Sequence, residues 1–243
     1  MSRLKKVEFE FEVITPMFTR GADGNTPEFR VAPFKAEMRY WLRALLGGLM
    51  NQNHSEVLKI EQLFFGGSGD NAFQSPIQLH ISNTNLVPGQ YLILPHKAED
   101  RRNSKRTAIG INSTFTLVLK CLLNDVKINN NRNLKAEKIE LMFEISTALF
   151  ELISYVGTVG LRGKRGFGSF QIKQYELEFN NVEKAIVEKI SELKSKCEKL
   201  LQSLTIQTTP LYNPISDWPV LGQNSFDILL SNEANYNDTL KSV

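Results

Sequence analysis

The sequence predicts an α+β fold, and three observations support this prediction. Residues 7–14 alternate apolar and acidic side chains, which is the period of a strand with one buried face. Residues 34–49 instead repeat their apolar side chains at helical spacing, as an amphipathic helix does. Residues 136–156 are rich in apolar side chains over a length that suits a long, largely buried helix.

The first strand and the first helix have clear boundaries. Thr15-Pro16 ends the strand, and residues 21–29 form a turn-rich loop in which Gly and Asn tolerate positive φ. Pro33 begins the helix and Gly47-Gly48 ends it, the usual placement of Pro and Gly at helix ends. The apolar stripe of this helix comprises Phe34, Met38, Trp41, Leu42, Leu45, Leu46 and Leu49.

The remaining elements complete a known order. They are strands at 76–82, 90–94 and 113–123, a helix at 136–156, and a closing strand at 169–179. When only one of the two short strands at 76–82 and 90–94 is counted, the order is β-α-β-β-α-β. This is the order of ferredoxin-like (RRM-like) domains, so we expect such a domain over residues 1–179. A charged helix at 182–204 and a short strand at 226–230 predict a reduced or incomplete second lobe over residues 180–243.

Composition limits the possible partners. Hydrophobic residues make up 42% and charged residues 23%, which is ordinary globular usage. The chain has 29 Lys and Arg and 26 Asp and Glu, so its net charge is small. Affinity for a polyanion therefore has to come from local clusters of cations. Charges begin at once and no apolar run suits a bilayer, so we expect a soluble, cytoplasmic protein without a membrane partner. Cys121 and Cys197 stand alone, which argues against a disulfide framework and a thiolate zinc site.

The loop at 157–169 is the strongest candidate for a binding site. It has five glycines, with Arg162, Lys164 and Arg165 grouped around Gly163. Glycine lets backbone amides approach a phosphate chain, and the three cations complement its charge, so the pattern favours RNA binding. A P-loop is excluded, because five residues separate Gly157 from Gly163 and an arginine follows Lys164. The alternative is a flexible turn without a ligand.

Two further basic segments are candidates. Lys35, Arg39 and Arg43 recur every fourth residue and form a ridge beside the apolar stripe of the first helix. They could contact RNA or only cover the helix flank with their aliphatic stems. Because Arg39 and Arg43 lie on this flank, their truncation should destabilise the fold little. Arg101 and Arg102 belong to a basic run at 99–106 that is either a solvated loop or a segment that orders on phosphates.

The sequence offers few residues for catalysis. His54, His80 and His96 have no spacing that indicates shared metal ligation or an acid–base pair. Asp23 lies in the turn at 21–25, where aspartate commonly accepts hydrogen bonds from its own backbone. We therefore expect no catalytic residue, no metal and no cofactor.

Four segments together resemble a known family. They are TPMFTRGAD at 15–23, FKAEMRYWLRALLGG at 34–48, FFGG at 64–67 and GLRGKRGFGS at 160–169. In this order they resemble the RAMP superfamily of CRISPR proteins, and within it the first subunit of the type III-B (Cmr) RNA-targeting effector complex. The resemblance implies a ferredoxin-like fold and an antiviral ribonucleoprotein whose guide RNA, target RNA and other subunits are the partners.

The resemblance also implies how such a subunit acts. It contacts guide RNA in its 3′ region and target RNA without cutting them, and Lys35, Arg39 and Arg43, with the cations of the glycine loop, match RNA-facing segments. Relatives carry two ferredoxin-like domains, so residues 180–243 would be a reduced second one.

Two alternatives stay open at the level of sequence. One is a RAMP-type endoribonuclease that processes the guide precursor, although the basic loops lack a well-placed histidine. The other is an assembly subunit that touches no RNA, which suits the modest net charge but leaves the glycine-cation loop without a role.

Overall fold

The computed structural model describes residues 3–51, 53–67, 72–93, 105–129, 132–173 and 182–208. The strands in these ranges are β1 Leu4–Val13, β2 Gln78–Asn85, β3 Pro88–Leu92, β4 Lys105–Ile109, β5 Thr114–Leu122, β6 Val126–Asn129, β7 Arg132–Leu134 and β8 Phe170–Ile172. The α-helices are α1 Val31–Leu49, α2 His54–Phe65, α3 Ala136–Val156 and α4 Val182–Ser203. Arg101, Arg102, His96 and the strand predicted at 226–230 lie outside the described residues.

A four-stranded antiparallel sheet is the centre of the fold. Its strand order is β2-β5-β1-β8, and the long pair β1–β5 runs from Leu4 opposite Leu122 to Glu12 opposite Thr114. Because each neighbouring pair is antiparallel, β1 is parallel to β2 with β5 between them. By the same logic β5 is parallel to β8 with β1 between them. The predicted α+β class is confirmed.

One face of the sheet carries the core. Phe11 on β1 lies 5.2 Å from Phe115 and 5.1 Å from Phe170, measured between ring centroids. From the helices, Phe150 of α3 approaches Phe11 to 5.5 Å and Phe34 of α1 approaches Phe115 to 5.1 Å. Tilted and edge-to-face aromatic pairs add to the free energy of burial. Helices α1 and α3 therefore pack on the same face, as the alternating pattern of β1 requires.

Helix α2 was not predicted from the sequence. Its first turn is capped by the Asn53 side chain, which accepts a hydrogen bond from the backbone N–H of Glu56 at 3.3 Å. Its buried residues Val57, Ile60 and Phe64 recur at helical spacing. The Asn-x-x-Glu pattern at 53–56 resembles a capping box and would have indicated this helix.

Two hairpins stand outside the main sheet. The strand predicted at 90–94 is β3, which pairs with β4 in a separate two-stranded sheet. Lys105 and Arg106 of the predicted basic loop are thus the first residues of β4. The Asn- and Lys-rich segment after β5 contains the small β6–β7 hairpin.

The charged helix predicted at 182–204 is confirmed as α4 and packs on α3. Its buried residues join the same hydrophobic core as α1 and α3, and they are Ile186, Ile190, Leu193, Cys197, Leu200 and Leu201. Ion pairs between Lys189 and Glu151 at 2.5 Å, and between Lys196 and Glu144 at 2.7 Å, border this contact. None of the helices that the structure describes is both long enough and apolar enough to cross a bilayer.

Candidate nucleic-acid interface

The glycine loop at 157–169 is folded tightly onto the connection that follows β1. The N–H of Gly168 donates to the Pro16 carbonyl at 3.0 Å, and the N–H of Leu161 donates to the Phe18 carbonyl at 3.1 Å. Within the loop the Val159 N–H donates to the Gly168 carbonyl at 2.9 Å. These amides are satisfied by the protein itself, so the loop is a shaped structural element.

Two of its glycines are required by this packing. Gly168 has φ +76°, and an added Cβ would lie 2.0 Å from the Val159 carbonyl oxygen. Gly160 has φ +101°, with the Phe18 carbonyl oxygen 2.8 Å from such a Cβ. Close approach of the chain to itself, rather than the predicted approach of a phosphate chain, therefore accounts for these two glycines.

The predicted cations lie at the tip of the loop. Gly163–Arg165 forms one 3-10 turn, preceded by Arg162 in the left-handed region at φ 63°. Lys164 and Arg165 are exposed and Arg162 is half-buried. Among the described residues, no side-chain ion-pair partner is found for Arg162 or Arg165. Arg162 and Arg165 therefore present charge that no ion pair within the described residues neutralises.

Two arginines beside this loop, Arg20 and Arg30, are not among the cations predicted from the sequence. The Arg30 guanidinium donates to the Arg20 carbonyl at 3.2 Å, and the Arg20 guanidinium donates to the Gly24 carbonyl at 2.8 Å. Arg20 follows Phe18 by two residues, and Phe18 is the residue on which the glycine loop is anchored. The positions of Arg20 and Arg30, directly before and after the turn-rich loop at 21–29, were a sequence signal for additional cations near the site.

Asp23 has the structural role that its turn sequence indicated. Its Oδ1 accepts hydrogen bonds from the N–H groups of Asn25 and Thr26, each at 3.0 Å, and Oδ2 accepts one from the Thr26 hydroxyl. These bonds, the Thr26 hydroxyl first, lower the pKa of Asp23 to about 2. A carboxylate of this kind is a weak base near neutral pH.

The ridge on α1 is tied to α2 by a buried carboxylate. Arg43 donates to both oxygens of Glu61, with the Nη2–Oε1 distance at 3.1 Å, and Glu61 is only 4% exposed. Arg39 Nε lies 3.3 Å from the same Oε1 without hydrogen-bond geometry. The hydrogen bond to Glu61 raises the pKa of Arg43. Arg43 is therefore a structural link between two helices.

Lys35 and Arg39 border an open groove beside the FFGG turn. Lys35 Nζ donates to the Phe65 carbonyl at 2.9 Å, and the Arg39 guanidinium lies 5.4 Å from the Phe65 ring centroid. The groove has a volume of about 770 Å³ and includes Gly66 and Gly67 in its lining. Burial, and then the nearby charge of Arg39, lower the pKa of Lys35.

The two basic segments lie on opposite flanks of α1. Arg39 and Arg43 face α2, whereas Tyr40 and Glu37 face the glycine loop, where Lys164 Nζ is 5.4 Å from the Tyr40 ring centroid. At about 100° per residue these positions point away from each other across the helix. The structure does not bring the ridge and the loop together into one patch.

The outer face of the sheet differs from the RNA platform of an RRM. Its described residues include Glu8, Glu10 and Glu12 on β1 and Lys120 on β5, and Lys173 pairs with Glu10 at 2.7 Å. Phe and Tyr side chains on the sheet carry much of the RNA stacking in RRM domains, and the described residues of this face include no Phe, Tyr or Trp. The glycine loop and its surroundings are the better candidate.

The described histidines lie outside the loop. His54 is the first residue of α2, and His80 lies in β2 on the outer face of the sheet; both are exposed. The part of the chain that the structure describes contains no group of three or more His, Cys, Asp or Glu residues placed to hold a metal ion.

Comparison with known proteins assigns the family. The family model of the RAMP superfamily matches residues 10–171. This chain belongs to the RAMP superfamily. The match spans the sheet, α1, α3 and the glycine loop, and it confirms the resemblance seen in the sequence motifs.

Two relatives come from Pyrococcus furiosus. CRISPR system Cmr subunit Cmr1-2 is 29% identical over 182 residues, which cover 68% of this chain and 94% of that protein. Subunit Cmr1-1 is 24% identical, over 96% of this chain and 72% of that protein. The crystal structure of apo Cmr1 from the same organism matches with a TM-score of 0.52 at 19% identity, over 86% of this chain. This chain spans 63% of that solved chain, and the likeness supports the α+β fold.

Proposed function

We propose that this chain is a non-catalytic RNA-binding subunit of a type III-B CRISPR effector complex. In this role it contacts the 3′ region of guide RNA, and target RNA, within a ribonucleoprotein for antiviral defence. Base pairing supplies sequence specificity in RNA-guided systems, while the protein holds the backbone. The similarity to Cmr1 subunits supports this assignment.

The same proposal includes a ferredoxin-like domain. In a ferredoxin-like domain each β-α-β unit has two parallel strands, and one strand of the other unit lies antiparallel between them. The strand pairs β1–β2 and β5–β8 have this arrangement. The β2-β5-β1-β8 order supports this reading. Residues 180–243 would then supply a helix and a partial second lobe.

The cationic tip of the glycine loop carries the proposal for RNA binding. Arg162, Lys164 and Arg165 stand within four residues on a loop that its own hydrogen bonds hold in shape. Preorganised cations bind phosphates with less loss of conformational entropy than cations on a mobile segment. Arg20 and Arg30 extend the positive charge toward the turn at 21–25.

Replacement of Arg162, Lys164 and Arg165 together by alanine is expected to weaken RNA binding and to flatten its salt dependence. Each lost phosphate contact lowers the slope of log K against log salt by about 0.7 for a single strand, so the slope should fall by about 2. Fluorescence anisotropy with labelled single-stranded RNA at several salt concentrations measures this slope.

A matched variant makes this test specific. Lys59, Lys184 and Lys199 are exposed lysines on α2 and α4, and their joint replacement by alanine removes the same charge away from the loop. This control should leave the slope close to that of the wild type. An equal effect of both triple variants would show that net charge, and not the loop, determines binding.

The proposed absence of catalysis has its own test. Purified protein, incubated with guide precursor or target RNA with and without Mg²⁺, is expected to leave both intact. Asp23 is held in a turn with a pKa of about 2, which makes it a poor general base. Cleavage that disappears in an Asp23→Ala or His54→Ala variant would instead support an endoribonuclease.

A further inference from the structure

A small pocket lies between α1 and the glycine loop. Its volume is about 300 Å³, and its walls include Glu37, Tyr40, Trp41, Thr158 and Lys164. This volume is at the lower end of the range of about 300–1,000 Å³ for small-molecule sites, so it suits one small planar group. The pocket adjoins the cationic tip, because Lys164 belongs to both.

The Glu37 carboxylate is held in a fixed position in this pocket. Trp41 Nε1–H donates to Glu37 Oε1 at 3.0 Å, and the Thr158 N–H points to the same oxygen from 3.5 Å. Both contacts use Oε1, so Oε2 keeps its capacity to accept hydrogen bonds from a ligand. Burial raises the pKa of Glu37, against the opposing effects of these two bonds and of Lys164.

Aromatic rings form another wall of the pocket. The rings of Tyr40 and Trp41 are nearly perpendicular, at 86°, with centroids 5.6 Å apart, and both side chains are half-buried. Lys164 Nζ lies 5.4 Å from the Tyr40 ring centroid. Unstacked RNA bases bind on aromatic side chains while cations contact the adjoining phosphates, and here both groups are next to an acceptor.

We propose that this pocket binds one unstacked guanine base of the RNA, with Glu37 accepting hydrogen bonds from its Watson–Crick edge. The inference rests on the proposed RNA-binding function and adds a base preference to it. Guanine presents two adjacent donors on that edge, N1–H and N2–H₂, to a group that only accepts. A base with one donor there leaves part of the carboxylate without a partner, which costs affinity.

The test uses the full chain and four 10-nucleotide RNAs that are uridine throughout or carry one central guanosine, inosine or adenosine. Anisotropy is expected to show about tenfold tighter binding of the guanosine RNA than of the all-uridine RNA, because each such base contact discriminates by about 1–3 kcal/mol. Inosine lacks the N2 amino group and should lose most of this gain. In a Trp218→Phe background, the guanosine RNA should also change the fluorescence of Trp41.

Two variants separate this inference from the proposed function. Glu37→Gln should abolish the preference for guanosine while binding of the all-uridine RNA stays within about twofold. The variant Arg162→Ala/Arg165→Ala, which leaves Lys164 in the pocket wall, should weaken all four RNAs alike. Glu28→Gln is the matched control, since Glu28 is an exposed carboxylate in the nearby connection.

The outcomes differ for the two hypotheses. Equal affinity for all four RNAs with unchanged Trp41 fluorescence would overturn the guanine pocket and leave RNA binding by the loop intact. Failure to bind any of the RNAs would overturn both. The inosine comparison requires no change to the protein, so it decides the question even if Glu37→Gln does not fold.

Discussion

Replacement of Gly168 by alanine is expected to lower the free energy of unfolding by about 4 kcal/mol, a loss near the top of the range for single substitutions. The added Cβ would lie 2.0 Å from the Val159 carbonyl oxygen, a backbone atom that cannot rotate away. Alanine also has a conformational cost of about 1–2 kcal/mol in the left-handed region. Urea denaturation monitored by circular dichroism measures the change.

Gly24 provides the control for this substitution. It also has a positive φ, at +71°, but no atom lies within 4 Å of the position that its Cβ would take. Gly24→Ala should therefore cost only the conformational term, about 1 kcal/mol. Similar losses for the two variants would mean that the contact between Gly168 and Val159 is not tight in solution.

Replacement of Arg43 by alanine is expected to cost about 2–3 kcal/mol. Glu61 is 4% exposed, and without Arg43 the described residues would leave it only Arg39, which lacks hydrogen-bond geometry. Removal of one partner from a buried ion pair costs about 3–5 kcal/mol. We expect less here because the Arg43 side chain is 42% exposed and solvent screens the pair. Thermal and urea unfolding both report this loss.

Two comparisons check the cause of the loss. Arg165→Ala removes an exposed cation and should change stability by no more than about 0.5 kcal/mol. The double replacement Arg43→Met/Glu61→Leu should recover most of the loss, because an apolar pair leaves no buried charge. A double-mutant cycle that gives no coupling between Arg43 and Glu61 would refute the structural role of the pair.

The link between Arg43 and Glu61 changes how the basic ridge should be studied. Spacing on α1 groups Lys35, Arg39 and Arg43 as equivalent cations, and it predicts that truncation of Arg39 and Arg43 destabilises the fold little. The structure separates Arg43, which is tied to α2, from Lys35 and Arg39, which border the groove beside Phe65. Weaker RNA binding by an Arg43 variant therefore has to be compared with its unfolding free energy before it is assigned to a lost contact.

Local periodicity predicted the central elements well. The alternation in β1 and the apolar stripe of α1 each reflect one buried face, so both elements follow from sequence alone. α2 was not predicted although it buries residues at helical spacing, because the glycines that follow it are typical of a loop.

The candidate site was less predictable because it depends on tertiary contacts. Sequence shows that the loop is rich in glycine and cations, but it does not show that Gly168 lies against the Val159 carbonyl. Similarly, helical geometry places Arg39 and Tyr40 on different flanks of α1, yet it does not reveal that α2 covers one flank and the glycine loop the other. The pocket around Glu37 arises only from that second contact.

The outward face of α1 sets a minimum length for an RNA that uses both flanks. Ala32 and Ala36 are exposed on the helix between the groove at Phe65 and the pocket at Tyr40. Their small side chains leave room for a strand to cross, and the crossing is about 10–12 Å, the width of a helix with its side chains. Under the proposed function, an oligonucleotide too short for this crossing would occupy one flank at a time. A longer one would join the two contacts through the crossing segment, so its affinity would reflect effective concentration as well as charge.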